Sequence, residues 1–531
     1  MSSQSSDNLP TGFTRAIIVV TVISAAIMEL IDISIVNVAL SDISGNLGAT
    51  IEDTSWVVTA YAIANVIIIP LTGFLARFFG RKKYYIISII IFTVSSYMCG
   101  QAGSLVMLVL WRFIQGIGGG ALLSTSQGIL FDAFEPAKRP MASAIFGMGI
   151  VLGPTIGPIL GGIIVDNYSW PLIFYINIPF GIVATLLTIR YIRRTEEERN
   201  PNRERPAIDF TGIAFLAIGV GSLQYVLERG ESDDWFNDRI IVLFSLLAAI
   251  GLLSFIYREL TGEKPMIHLS VMKRRNLWAS NVLTFAVGFG MFGSIFIFPV
   301  LVQRILGYTP TDAGFGLVPS AIAAILCMPI IGRRLGAGTP PLVFVIIGFV
   351  FFILHGYTSS LATPDVGGAF FFWPQVFRGV GTACLTVPLI NQAVVGLTPQ
   401  EMPSGIALTN MLRQLGGAFG IAVMNTYVAQ RYAVHRADLV SNLQMNDPTV
   451  IQRLAQTQAG AITAGINPAQ STEFSYKIMD LAVTKQGFLL AYGDCFKLLA
   501  LFFICAIPFM FLLRTKKVDK VTLQKVSEES H

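Results

Sequence analysis

Seven ionisable side chains interrupt long apolar runs of this chain: Glu29, Asp32, Arg112, Arg378, Arg413, Asp494 and Lys497. A charge surrounded by apolar residues is expensive. It is kept where it faces an interior cavity or an opposite charge, and it marks ion or substrate pathways. Glu29 and Asp32 are three residues apart and so share one helix face. Asp32, deep in its run, is the expected proton carrier, with Arg112 as its electrostatic partner; the alternative is an ion pair that only holds helices together. Glu29, taken as the less deeply placed acid, is either a second carrier or a structural partner. Asp494 and Lys497 are also three apart and read as a local pair near an outer-facing end. Arg378 and Arg413 are open between helix packing and a cargo site, and Asn37, Gln115 and Asn410 complete the candidate cargo cavity.

Other chemistry finds no footing in the sequence. The four histidines (His268, His355, His435, His531) are scattered and form no metal spacing, so the expectation is no metal site. The five cysteines (Cys99, Cys327, Cys384, Cys495, Cys505) lie in apolar runs and read as small buried hydrophobes. The glycines at 116–120 lack the Lys-Ser/Thr ending of a phosphate-binding loop. No polar triad suggests an enzyme.

The elements that position these charges follow from composition. Of 531 residues, 53% are apolar and 13% charged, with a mean hydropathy of +0.65. Soluble domains carry about 25% charged residues, so the chain is read as an all-α polytopic membrane protein rather than a disordered chain, a disulfide scaffold or a nucleic-acid binder. A membrane helix needs about 20 mostly apolar residues. Fourteen candidate runs cover 15–40, 56–77, 84–100, 105–130, 141–165, 172–190, 210–227, 240–257, 277–301, 313–331, 342–358, 370–397, 405–428 and 488–513. The first is too long for a signal peptide and is read as a retained span.

Orientation follows from Lys and Arg in alternate loops. With the N-terminus in the cytoplasm, 25 of the 37 fall inside, 8 outside and 4 within spans, which favours both termini inside and an even span number. The expected organisation is a cytoplasmic tail (1–14), a six-helix bundle (15–190) and a charged linker (191–208). Two inserted helices with their following loop (209–275), a second six-helix bundle (276–514) and a cytoplasmic tail (515–531) complete it. The outer loop 429–487 is the longest polar stretch, with short surface helices expected at 431–444 and 471–484. The acidic loop 228–239 reads as a solvated hairpin.

The halves echo each other. Shifted by 263 residues, Gly116 meets Gly379, Gly118 meets Gly381, Pro136 meets Pro399, Pro140 meets Pro403, Gly153 meets Gly416 and Gly157 meets Gly420. Pro70 and Gly73 pair likewise with Pro329 and Gly332. Internal repeats of this kind accompany alternating access, with the substrate site at the repeat interface.

Several motifs are denser than composition requires. Residues 73–83 (GFLARFFGRKK) close the second span; Gly73 and Gly80 permit a tight turn, and Arg81 and Lys82 anchor it as a cytoplasmic gating loop. In 149–162 (GIVLGPTIGPILGG), Gly149, Gly153, Gly157 and Gly161, with Gly162, leave one helix face as bare backbone for close packing, and Pro154 and Pro158 add bends.

Together with RFIQGIGGGA at 112–121, LIDISIVNVAL at 30–40, YINIPFG at 175–181, DFTG at 209–212, NMLRQLGG at 410–417 and AYGD at 491–494, these stretches resemble the major facilitator superfamily, specifically its fourteen-helix drug:proton antiporters of the EmrB/QacA type. Two positions depart from the pattern. The acid usual in many relatives within the 73–83 loop is Arg77 here, which removes the partner for a gating salt bridge made by that acid, and Ser41 replaces a proline. The resemblance implies export across the bacterial cytoplasmic (inner) membrane, driven by proton entry without a cofactor; the cargo is read as amphipathic or lipophilic small molecules. A periplasmic adaptor and outer-membrane channel complete the path for some relatives. A dedicated metabolite or siderophore exporter is the alternative within transport. A non-transporting receptor or scaffold is the alternative of another class.

Overall fold

The computed structural model describes residues 10, 12–194, 198, 206–262, 266, 267, 269–364, 366–398, 401–444 and 446–513. Most of the tail 1–14, the tail 515–531 and most of the linker 191–208 lie outside the described residues, as do His268 and His531. Among the described residues every regular element is helical.

Fourteen long helices carry the apolar runs. They are α1 (Gly12–Leu47), α2 (Trp56–Phe79), α3 (Arg81–Gly100), α4 (Leu105–Asp132), α5 (Arg139–Asn167), α6 (Asn177–Tyr191), α7 (Phe210–Arg229), α8 (Arg239–Thr261), α9 (Arg275–Leu306), α10 (Val318–Gly336), α11 (Pro341–Ser359), α12 (Phe372–Gln392), α13 (Met402–Ser441) and α14 (Pro468–Met510). Among the described residues twelve candidate spans are long and apolar enough to cross a membrane, two fewer than the fourteen runs expected. The helices falling short are α12 and α13. Their buried faces carry Gln375, Arg378, Thr382 and Thr386 on one and Ser404, Thr409, Asn410 and Arg413 on the other, and these polar groups lower the mean hydropathy.

The repeat is visible in the packing. The helix α2 packs on α4 and α10 on α12; α3 packs on α4 and α11 on α12; α1 packs on α5 and α9 on α13. A Cβ at Gly116 would meet the Tyr61 carbonyl and Ala64, and one at Gly379 the Ser320 carbonyl and Ala323. The inserted pair α7–α8 crosses at Gly219 and Gly251, whose backbones touch, and leans on α2 and α13. Arg258 at the end of α8 holds Asp209, the N-cap of α7, with bonds of 2.6 and 2.8 Å.

Two loop expectations change. Segments 431–444 and 471–484 are not separate surface helices; most of each continues α13 or α14, which run 40 and 43 residues. At about 1.5 Å per residue each is roughly 60 Å long, about twice the thickness of a bilayer's apolar core. Their extensions are clamped together: Tyr432 stacks on Phe488 at 3.9 Å, and Asp494 accepts from Arg431 (2.7 Å), His435 (2.8 Å) and its local partner Lys497 (3.2 Å). Among the described residues of this stretch, Pro448–Thr463 alone is a helix of its own, started by Asp447 as N-cap. The loop 228–239 docks instead of standing free. Trp235 Nε1 donates to Thr426 at 3.0 Å, and Asn425 donates to Glu231 at 2.7 Å.

The halves meet along α5 and α10, where Ala144 and Val151 share an apolar cluster with Ala324 and Met328, and near the far end of α5 Thr311 Oγ1 donates to Asp166 at 3.0 Å. At the end holding the start of α1, Ile18, Val22, Leu122 and Phe146 share a cluster with Ile390, Val394, Met402 and Ile406. At the opposite end, Ile35, Val36 and Phe174 pack within the first half, and Leu301, Phe371 and Tyr492 within the second.

Candidate functional site

The site is built on α1, which turns Glu29 and Asp32 inward. Asp32 is fully buried and Glu29 is 1% exposed. Glu29 is not the shallower acid expected from its run: α1 extends further at both ends than the run suggests, and Glu29 is the eighteenth of its 36 residues.

Asp32 lies in a closed polar network. Its Oδ2 accepts from Arg112 Nη1 at 2.5 Å, and its Oδ1 accepts from Gln115 Nε2 at 3.0 Å and Asn177 Nδ2 at 2.9 Å. Arg112 Nη1 also donates to Gln115 Oε1 (2.9 Å), and its Nε to the Val57 carbonyl (3.1 Å). The guanidinium lies 4.2 Å from the Tyr61 ring centroid and 5.7 Å from that of Phe174. Aromatic faces and a carboxylate together make a bed for a buried guanidinium. Asn177 is in turn bound to Ser96 at 3.0 Å. Asn177 and Ser96 were absent from the site residues expected from sequence; the signal available was a lone Asn inside an apolar motif.

Glu29 occupies a second niche. Its Oε1 accepts from Asn65 Nδ2 and its Oε2 from the Leu123 backbone N–H, each at 3.0 Å. Arg413 of α13, in the other half, stands within electrostatic range of it. Three residues earlier on the same helix, Asn410 Nδ2 bonds Ser124 Oγ and Gln127 Oε1, both at 3.1 Å, linking the halves directly.

Of the five candidate cargo residues, Gln115 belongs to the Asp32 network, and Asn410 and Arg413 face the first half. Arg378 is separate, buried in the second half against Ser320 at 3.0 Å. Asn37 joins none of them: it is exposed and reaches only the Ile33 carbonyl, because five residues beyond Asp32 a helix has turned well past that face.

The bare face of α5 packs on the acid-bearing helix. Gly149 faces Ile23 and Ile27, Gly153 faces Leu30, Gly157 faces Ser34 and Ile31, and Gly161 faces Ile35 and Val38, all on α1. Gly162 turns to Thr311 of the second half instead. Pro154 and Pro158 lie inside α5 without ending it. In the gating loop Gly80 takes φ +90°, and Arg81 pairs with Asp132 at the end of α4. Lys82 Nζ donates to the Ile189 carbonyl at 2.7 Å, and Arg77 to the Met266 carbonyl at 3.0 Å. Gly73 lies against the backbone of Pro403 and Ser404 across the halves.

Residues 22–421 match the Major Facilitator Superfamily. Multidrug export protein EmrB of Escherichia coli K12 is 34% identical over 91% of this chain and 92% of that protein. Fatty acid resistance protein FarB of Neisseria gonorrhoeae is 34% identical over 92% and 94%. Colistin resistance protein EmrB of Acinetobacter baumannii is 29% identical over the same shares. Solved structures share the fold at low identity. The human organic anion transporter MFSD10 superposes with a TM-score of 0.57 at 15% identity, covering 94% of this chain and 99% of that one. The proton:xylose symporter XylE gives 0.56 at 13%, covering 93% and 96%. With the motifs, the repeat and the helical packing in place, the chain is a multi-pass membrane protein that belongs to the Major Facilitator Superfamily.

Proposed function

We propose that this chain is a proton-coupled exporter of amphipathic or lipophilic small molecules in the bacterial cytoplasmic membrane, working by alternating access between its two halves. Its relatives carry the names of multidrug export, colistin resistance and fatty acid resistance proteins. The observation that carries the coupling mechanism is the buried Asp32–Arg112 pair on a helix packed against the glycine face of α5.

An ionised Asp32 is locked by three bonds; a protonated one is a weaker partner for the guanidinium. Proton uptake therefore loosens α1 from α4, and the glycine face lets α1 shift along α5 without side chains catching. Arg112 returns the proton by favouring the carboxylate once the helices close again. Glu29 and Arg413, on opposite halves, sense their separation. The reading includes fourteen spans with both termini cytoplasmic, α7 and α8 being an insertion (209–275) between six-helix bundles 15–190 and 276–514. In that orientation the apolar cluster that Ile18 and Phe146 share with Ile390 and Met402 lies at the cytoplasmic end. No cofactor is needed; protons and cargo suffice, and a periplasmic adaptor with an outer-membrane channel would extend the path beyond the membrane.

The test is purified protein in proteoliposomes with an imposed pH gradient and a lipophilic cationic dye. Uphill dye movement with counterflow of protons is expected. Dye movement that ignores the gradient, or none at all, would overturn the reading.

A further inference from the structure

In the first half, an arginine and a glutamine three apart on α4 grip one carboxylate between them: Arg112 Nη1 holds Asp32 Oδ2 and Gln115 Nε2 holds Asp32 Oδ1. The 263-residue repeat register places Gln375 at the position of Arg112 and Arg378 at that of Gln115. The second half thus carries the same pair on α12 with its members exchanged, again three apart and so side by side.

What is missing is the carboxylate. The helix α9, counterpart of α1, contains no Asp or Glu. Arg378 is 3% exposed and Gln375 1%. Arg378 Nε donates to Ser320 Oγ, but its Nη1 has no hydrogen-bond partner, and neither does the Nε2 or the Oε1 of Gln375. Next to them His355 is fully buried; its Nδ1–H donates to the Pro374 carbonyl at 2.9 Å, and its Nε2 is unpartnered. A buried guanidinium without a carboxylate, beside an unused amide N–H, is a positively charged gap that an anion would fill.

At the same end of this half, a cavity of about 420 Å³ is lined by Tyr308, Phe298, Phe315, Phe371 and Phe372. Its lining also includes Pro319, the residue before Ser320. Asp312 at its rim is exposed and already holds the Thr309 hydroxyl at 2.7 Å. An aromatic berth at the end of the half that holds a buried cation, linked to it through Pro319 and Ser320, suits a ligand with an apolar tail and one negative end.

We propose that the Gln375–Arg378 pair is a receptor for the carboxylate of an amphipathic monocarboxylic acid, which takes the place that Asp32 fills in the first half. One carboxylate oxygen accepts from Arg378 Nη1 and the other from Gln375 Nε2. The site is closed to solvent in this state, and the ligand enters where α10 and α12 part at the cavity end. The proposal rests on the export reading and narrows its cargo.

The experiment uses the full chain in nanodiscs with dodecanoate and its methyl ester at neutral pH, each binding curve corrected for partition into protein-free discs. The acid is expected to bind about tenfold or more tighter than the ester, since charge-assisted bonds are lost with the ester. Equal affinity overturns the proposal. Arg378→Gln should collapse the acid-to-ester ratio towards one. Should that variant not fold, Gln375→Glu supplies a built-in carboxylate that neutralises Arg378 and should weaken dodecanoate binding by about the same factor. A folded variant of either kind that keeps the wild-type ratio places the acid elsewhere and overturns the proposal. Dye export in proteoliposomes separates the two readings: a protein that pumps dye yet shows no preference for the acid refutes the receptor alone.

Discussion

Replacing Asp32 by asparagine tests the coupling reading most directly, because it keeps size and polarity and removes only the ability to ionise. The carboxylate accepts three buried hydrogen bonds, from Arg112 at 2.5 Å, Asn177 at 2.9 Å and Gln115 at 3.0 Å. The amide has one acceptor oxygen, so turning it to Arg112 sets its NH2 against two donors. Removing one partner of a buried ion pair costs about 3–5 kcal/mol. Arg112 retains the Gln115 and Val57 oxygens at 2.9 and 3.1 Å, which recovers part of that. The net destabilisation is expected to be about 2–4 kcal/mol, enough to lower the melting temperature by a few degrees without preventing insertion. The functional effect is larger. Each proton exchanged down a one-unit pH gradient supplies about 1.4 kcal/mol, or a roughly tenfold cargo ratio. The Asp32→Asn protein should still bind dye, release no protons on dye addition and hold a cargo ratio of one in proteoliposomes. Wild-type uphill transport by this variant would refute Asp32 as the carrier and move the role to Glu29.

Further expectations are more compact. Arg112→Ala should abolish export and Arg112→Lys should restore it only in part, because a lysine lacks the planar fork that meets Asp32, Gln115 and Val57 together; full export by a normally expressed Arg112→Ala protein would count against the pair. Gly157→Ala drives a methyl into the Ser34 side chain, an overpacking of about 1–3 kcal/mol that should slow transport at least tenfold, whereas Gly149→Ala, whose nearest neighbour would lie at 3.4 Å, should stay within twofold in the same assay. With the native cysteines replaced, single cysteines at positions 200 and 525 should be shielded from an impermeant thiol reagent added to intact cells and one at position 460 labelled; labelling at 200 reverses the orientation. The Arg258 guanidinium, helped by the Gly212 N–H, holds the Asp209 carboxyl below its usual range. A depressed pKa stabilises above the free-aspartate value and is lost as pH falls through the folded value, so Asp209→Asn should melt earlier than wild type at pH 7, with the gap narrowing as pH falls below the free-aspartate value.

Much of this protein is local, and local properties are legible in a sequence. Apolar run lengths announce the helices, and a carboxylate and a guanidinium left in such runs announce that each needs the other, as Asp32 and Arg112 do. Four-residue glycine spacing announces a bare helix face, which lies against α1. Gly/Pro register announces the repeat, which returns as matched packing of α2 on α4 and α10 on α12. What tertiary structure decided is which groups meet. Asn177, Ser96 and Asn65 are unremarkable polar residues until packing brings them against Asp32 or Glu29, and Asn37, attractive by type, is carried off that face by helical phase. The polar stretch 429–487 reads as an outer loop with short surface helices because it lacks the long apolar run of a span, yet its two ends continue α13 and α14. Tyr432 on Phe488 and the charges around Asp494 supply, from a neighbouring helix, the stabilisation that its own composition does not. Residue type and spacing decide what a segment can bury. Only the assembled bundle decides what it is buried against, because those partners are often more than a hundred residues away in the chain.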